Sequence, residues 1–161
     1  MNEIQPLITS IPFKLSEINE ILRKGPALSY FNALSLGLKS SDLCSTINKT
    51  VAIYEEGFIP TESEAEILLE AMTKIVELTE SQLYLLVDMK PVFDKLWVAG
   101  LAKKDTVSLG IASANLSGAM IKVVPEQMKD QSQALENRRK VAFGRVLAAY
   151  GNEKDVEEVE G

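Results

Sequence analysis

Apolar residues recur along this chain at three- and four-residue spacing, while regular apolar–polar alternation is scarce. That is the period of helices that bury one face. The first stretch sets Ile4, Leu7, Ile8, Ile11, Leu15, Ile18, Ile21 and Leu22 in one stripe and predicts a helix over 2–24. Pro12 falls inside it, and a proline lacks the amide hydrogen and crowds the preceding turn, so a kink or two segments is expected. Gly25-Pro26 ends this helix: glycine accepts a left-handed cap and proline can open the next helix. A second stripe of Leu28, Phe31, Leu34, Leu38, Ile47, Val51 and Tyr54 predicts a helix over 27–56, with Leu36 and Leu43 widening it and Ser40-Ser41-Asp42 a weak point. After the turn Gly57-Phe58-Ile59-Pro60, Thr61 and Ser63 are N-cap candidates, and Ser63 with Glu66 has capping-box spacing. The third helix, 62–90, then carries Leu68, Met72, Ile75, Val76, Leu83, Leu86 and Met89.

Pro91 is expected to kink or stop that helix, leaving a short helical turn over 92–98 that gathers Phe93, Leu96, Val98 and the only tryptophan, Trp97. An aromatic cluster at a forced corner predicts that Trp97 is buried as a plug at one end of a bundle. Asp105 reads as the N-cap of a fourth helix over 104–124, bearing Leu109, Ala112, Leu116, Ala119, Met120 and Val123. Gly110, Ala114 and Gly118 on that helix permit close approach or leave space. Pro125-Glu126 starts a fifth helix over 126–150, with Met128, Leu135, Ala142, Phe143, Val146, Leu147 and Tyr150, and Gly151 caps it. The remainder, N-E-K-D-V-E-E-V-E-G over 152–161, is acidic and poor in apolar residues, the composition of a disordered tail. The expected fold is all-α: one domain over 1–151, a five-helix bundle with a central apolar cavity.

At 161 residues, 46% of them hydrophobic, the chain can bury a substantial core. A net charge of −6 without a basic block excludes a nucleic-acid partner of the usual kind and disfavours an anionic membrane surface. No run of apolar residues is long enough for a transmembrane helix. Histidine is absent, which removes histidine-based nucleophilic triads and histidine metal sites. Cys44 is alone, so no disulfide forms within the chain; it is either buried or available to another chain, and burial is favoured. Glu64, Glu66, Glu70, Glu77 and Glu80 read as the solvated face of the third helix rather than as a paired-carboxylate site. No catalysis and no cofactor are expected.

The segment K-P-V-F-D-K-L-W-V-A-G-L, within 87–101, resembles the signature of the fungal hydrophobic surface-binding protein A family. These are also called cell-wall galactomannoproteins and include the fatty-acid-binding modules of secreted mannoproteins. The family pattern is a helix ending in lysines, then x-x-F-D-x-x-x-V-x-G-L, then a charged helix start. Phe93, Asp94, Val98, Gly100 and Leu101 match it, and Lys90 stands where a family lysine would. Downstream, M-I-K-V-V-P-E-Q-M-K-D-Q-S-Q-A-L and V-L-A-A-Y-G look like the family's last two helices. The resemblance covers 67–150 well and 4–57 only by helix length and order. It implies a helical bundle around an apolar tunnel, secreted or in the cell wall and without catalysis, its partner a fatty acid or other single-chain lipid, with a monomer favoured. The opening Met1-Asn2-Glu3 lacks the basic start and apolar core of a signal peptide, so on this reading the signal has been removed.

Glycines and alanines opposite long flexible side chains leave an under-filled axis. The expected tunnel lining on the second to fifth helices is therefore Leu34, Leu38, Leu68, Met72, Ile75, Leu86, Phe93, Leu109, Ala112, Leu116, Met120, Phe143 and Val146. A tryptophan at Ala112 should block such a tunnel. Met72, Met89, Met120 and Met128 are ordinary core filling or, given the resemblance, part of that lining. Ser35, Thr46, Thr73, Gln82, Ser113 and Tyr150 are candidates for meeting a lipid head. Asn48-Lys49-Thr50 and Asn115-Leu116-Ser117 fit the glycosylation pattern, and Asn48 is preferred because Asn115 adjoins a buried stripe. Two other functions stay open: a surface-active adhesin on hydrophobic solids, and an intracellular helical adaptor.

Overall fold

The described residues form five α-helices: α1 (Ile4–Leu22), α2 (Tyr30–Glu55), α3 (Glu62–Lys95), α4 (Ala99–Val123) and α5 (Lys129–Tyr150). One-turn 3-10 helices at Gly25–Ala27 and Glu126–Met128 lead into α2 and α5. This computed structural model describes residues 1–151, and the acidic tail expected over 152–161 lies outside the described residues. Local sequence fixes the helix starts. Ser29 and Asn32 form a reciprocal capping box, each side chain accepting the other's backbone N–H at 3.0–3.1 Å. Thr61 and Glu64 do the same for α3 at 3.0–3.2 Å, so the box sits two residues before the expected Ser63–Glu66 pair. Gly57, at φ +105, ends α2 and directs Phe58 back onto Tyr54, ring edge to face at 5.6 Å.

Both interior prolines are carried within continuous helices. Pro12 lies inside α1 and Pro91 inside α3, which runs on to Lys95 instead of stopping at 90. A proline costs a helix the bond to the carbonyl four residues earlier. In the turn before Pro91, the Tyr150 hydroxyl donates to the Leu86 carbonyl, tying α5 to α3. The separate turn expected at 92–98 is thus the end of α3 followed by a tight reversal.

That reversal is a Schellman motif. The Val98 N–H donates to the Phe93 carbonyl at 3.0 Å and the Trp97 N–H to the Asp94 carbonyl at 3.2 Å. Trp97 holds the left-handed position, φ +61, which glycine usually takes. A side chain there is thrown outward, and Trp97 is 94% exposed. The expectation that Trp97 plugs the bundle is therefore wrong, and the apolar contact of the turn is made by Phe93 and Val98, both buried. Because the chain reverses so tightly, α4 starts at Ala99 with Val98 as its cap. Asp105 is consequently an interior residue of α4, not its N-cap.

α1 packs on α2 and α3, α2 also on α4, and α3 and α4 both on α5, while α3 and α4 touch only slightly despite their short connection. The core runs from Ile4, Ile8 and Ile11 through Leu43, Ile47, Leu68, Met72 and Ile75 to Leu109, Leu116, Phe143 and Leu147. One ion pair is buried in it. Arg139, 2% exposed, donates from Nε and Nη2 to both Glu136 carboxylate oxygens at 2.7 Å. It also reaches the Gly110 carbonyl of α4 at 3.4 Å and lies over the Phe143 ring. Burial pushes the Glu136 carboxyl upward, but hydrogen bonds from Arg139 and Ser117 outweigh it and hold the group below the ordinary carboxylate range.

Three variants have expected outcomes in urea-unfolding measurements. Trp97→Ala should change stability by no more than about 0.5 kcal/mol, the range of an exposed site. Trp97→Gly should be at least as stable as the parent, because an L-residue in this conformation costs about 1–2 kcal/mol. Glu136→Gln strands a buried guanidinium and should cost about 3–5 kcal/mol at neutral pH. A depressed folded-state pKa contributes stability above the unfolded value of 4.5 and loses it as pH falls through the folded value. The gap between wild type and Glu136→Gln should therefore narrow as the pH is lowered below 4.5.

Candidate functional site

Near the turn from α3 to α4, the side chains of α1, α2, α3 and α4 leave space at one end of the bundle. The result is an open groove of about 450 Å³. It is bounded by Ile18 and Leu22 of α1, residues 33–40 of α2, Gln82, Leu86 and Phe93 of α3, Val98 at the turn, and Leu101, Ala102, Asp105 and Thr106 of α4. Ile18, Leu22, Gln82, Leu86 and Phe93 are buried and form the floor. Leu34, Leu38 and Leu101 are exposed and form the rim. Along α3 the floor spans Gln82 to Phe93, roughly 16 Å at the helical rise. The lining is mainly aliphatic and its size lies in the range of small-molecule sites, about 300–1,000 Å³.

Four polar side chains interrupt the apolar wall: Ser40, Gln82, Asp105 and Thr106. The Thr106 hydroxyl is committed to the Ala102 carbonyl at 2.7 Å. Gln82 is 5% exposed and its Oε1 has no hydrogen-bond partner. Asp105 is half-buried beside Gly37, where an added Cβ would sit 3.7 Å from its Oδ2. Burial raises the Asp105 carboxyl pKa, and Lys104 opposes that shift. Across the interface with α2, burial and then the Asp105 charge push the Cys44 thiol up to about 11, so Cys44 is a half-buried, protonated and unreactive thiol.

Of the lining expected from the sequence, Leu34, Leu38, Leu86 and Phe93 border this groove. Leu68, Met72, Ile75, Leu109, Ala112, Leu116, Met120, Phe143 and Val146 are all buried in the packed core and do not border it. None of the methionines lines it either. Among the head-group candidates only Gln82 faces the groove. Thr46, Thr73, Ser113 and Tyr150 spend their hydroxyl hydrogens on backbone carbonyls, and Ser35 lies outside the lining. Sequence reading missed Ile18, Leu22, Ala33, Leu36, Gly37, Ser40, Val98, Leu101, Ala102, Asp105 and Thr106. Ile18 and Leu22 were legible as buried, but nothing in a stripe of isoleucines and leucines says which positions face a gap.

A larger hollow, about 1010 Å³, runs along the surface between α3 and α5. Arg23, Glu80, Arg138 and Arg145 line it beside Tyr84 and Val141, and Arg138 pairs with Glu80. An apolar ligand there would have to strip water from several charges, so the smaller groove is the better site. Asn48 and Asn115 are both exposed, so exposure does not separate the two glycosylation triplets. Among the described residues no helix is long and apolar enough to cross a membrane.

No family model and no curated protein matches the sequence. Solved structures do match the fold. AfMP4p in complex with palmitic acid is 18% identical with a TM-score of 0.86, covering 93% of this chain and 99% of that one. Ligand-binding domain 1 of the Penicillium marneffei MP1 protein, complexed with arachidonic acids, is 14% identical with a TM-score of 0.81, covering 92% and 96%. Domain 2 of the same protein, with multiple arachidonic acids, is 18% identical with a TM-score of 0.78, covering 91% and 92%. At such identities the likeness establishes architecture: this chain is a five-helix bundle of the same fold as those fungal domains.

Proposed function

We propose that this chain is a non-catalytic binder of one single-chain lipid, a fatty acid or a close analogue, held in the groove walled by α1, α2, α3 and α4. The observation that carries the reading is the groove itself: an aliphatic trough with a buried floor and an exposed leucine rim. Its proposed contacts are Ile18, Leu22, Leu34, Leu38, Leu86, Phe93, Val98 and Leu101. Each methylene moved from water into it is worth about 0.8 kcal/mol, so a dozen supply about 10 kcal/mol before ordering costs. The fold shared with domains complexed to palmitic and arachidonic acids supports the same reading. The absence of histidine leaves the polar lining without the usual base to activate a nucleophile. Residence in the fungal cell wall or outside the cell, glycosylation at Asn48, and a monomeric state belong to this proposal.

A surface-active role is favoured by one further feature. Phe31, Leu38, Trp97 and Leu101 are exposed at the groove end of the bundle. That apolar rim suits a protein that collects its ligand from an interface. The adaptor reading has no comparable support.

Native mass spectrometry of gently purified protein should show the mass of one bound lipid. Gly37→Phe should weaken binding of a fluorescent acyl probe at least tenfold with helix content unchanged, because phenylalanine fills the groove and favours helix over glycine. The Cβ itself would meet Asp105 only at ordinary contact distance. Ala112→Trp strikes the packed core instead and should mainly destabilise. Failure of the wild type to bind any acyl probe would overturn the proposal.

A further inference from the structure

The groove is not uniform along its length. Lys39 of α2 pairs with Glu17 at 3.0 Å, and Asn19 donates to the Leu78 carbonyl of α3 at 3.2 Å. Ser40 follows Lys39 and Gln82 lies one turn beyond Leu78, so the two stand at the same level of the bundle, near Ile18. Phe93 lies about three turns further along α3, beside the reversal, where Val98 and Leu101 keep the lining apolar. Ser40 and Gln82 are both more than nine-tenths buried, at 7% and 5% exposure. Their polar atoms are nonetheless idle. Gln82 Oε1 has no partner, and neither the Gln82 amide nor the Ser40 hydroxyl bonds to any described residue. The Thr106 hydroxyl, by contrast, is spent on the Ala102 carbonyl. A buried polar group without a partner destabilises a fold, so two of them lining one space point to a ligand that supplies what is missing.

We infer that Ser40 and Gln82 form the carboxyl-binding end of the groove, so that a fatty acid lies head inward with its methyl end running past Leu86 and Phe93 to the rim at Leu101. The inference rests on the groove taking a fatty acid at all, and adds which way round it lies and what holds its head. The chemistry matches. A carboxyl group has two oxygens, and the serine hydroxyl and the glutamine amide N–H can donate one bond to each. The glutamine oxygen accepts in turn when the head carries a proton, so the pair serves the acid in either ionisation state. Asp105 is the opposing group, a half-buried carboxyl on α4. Burial raises its pKa, so it takes up a proton more readily than an exposed carboxyl, and a protonated Asp105 donates to the head instead of repelling it. A ligand lying the other way round would set its methyl end against Ser40 and Gln82 and leave both unpaired.

Two palmitate analogues with the same fluorophore test this on delipidated wild type, one tagged at the terminal carbon and one through an amide at the carboxyl. The terminally tagged acid should bind at least tenfold more tightly, because its head is free to enter. Equal binding, or the reverse order, would overturn the inference, and that comparison needs no variant to fold. Gln82→Leu keeps the bulk of the side chain and removes the unpaired amide. The unliganded variant should therefore unfold at higher urea than wild type, while its affinity for the terminally tagged acid falls at least tenfold. Unchanged or tighter binding by this folded variant would also overturn the inference. Failure of wild type to bind either probe or untagged palmitate would instead sink the fatty-acid reading on which it rests.

Discussion

The turn from α3 into α4 is the constraint on which the site depends. The Val98 N–H closes it by bonding back to the Phe93 carbonyl, and both side chains are buried. With so short a connection, α4 has little freedom to choose its own register. A shift of one residue would rotate its faces by about 100° and carry Asp105 and Thr106 out of the groove. Yet the two helices lean on different neighbours, α3 on α1 and α5, α4 on α2 and α5. The groove lies beside that joint, walled by α1 and α2 as well as by α3 and α4.

The opposite half of the bundle shows what the same chain does when it packs fully. There Leu68, Met72, Ile75, Leu116 and Phe143 close on one another, and the buried Glu136–Arg139 pair meets the Gly110 carbonyl where α4 carries no side chain to obstruct it. Interiors of this kind are as dense as organic crystals and leave no room for a chain-length ligand. The groove end keeps a buried glutamine with an unpaired oxygen and a carboxylate whose pKa is raised by burial. Both are costs to the unliganded fold. A ligand that satisfies them would raise stability by mass action as well as occupy the space.

Much of the fold was legible because it rests on periodicity and capping. The stripes of α1 and α3, the Gly57 turn and the early position of the capping residues all follow from local chemistry. The errors cluster at 91–105. Proline usually ends a helix, but here Pro91 is tolerated, with Tyr150 from a residue 64 positions apart in sequence bonding the turn before it. Tryptophan usually marks a core, but Trp97 occupies a backbone conformation that only the closure of the turn requires. Once that corner is misread, the start of α4 slips and Asp105 becomes a cap instead of a wall of the site. Of the sixteen residues that line the groove, Leu34, Leu38, Leu86 and Phe93 were identifiable as inward or stripe residues, and Gln82 as a polar candidate. Which inward residues face a void depends on how helices diverge, and no single helix's sequence encodes that.

The central claim is that the lipid chain lies in the groove walled by α1, α2, α3 and α4, not along the bundle axis. A crystal structure of the protein with a 16-carbon fatty acid brominated at its terminal carbon tests this most directly. The account predicts one anomalous peak inside the trough bounded by Leu22, Leu86, Phe93 and Leu101, with the helices in place. A peak among Met72, Leu116 and Phe143, or in the charged hollow between α3 and α5 near Tyr84, would contradict it.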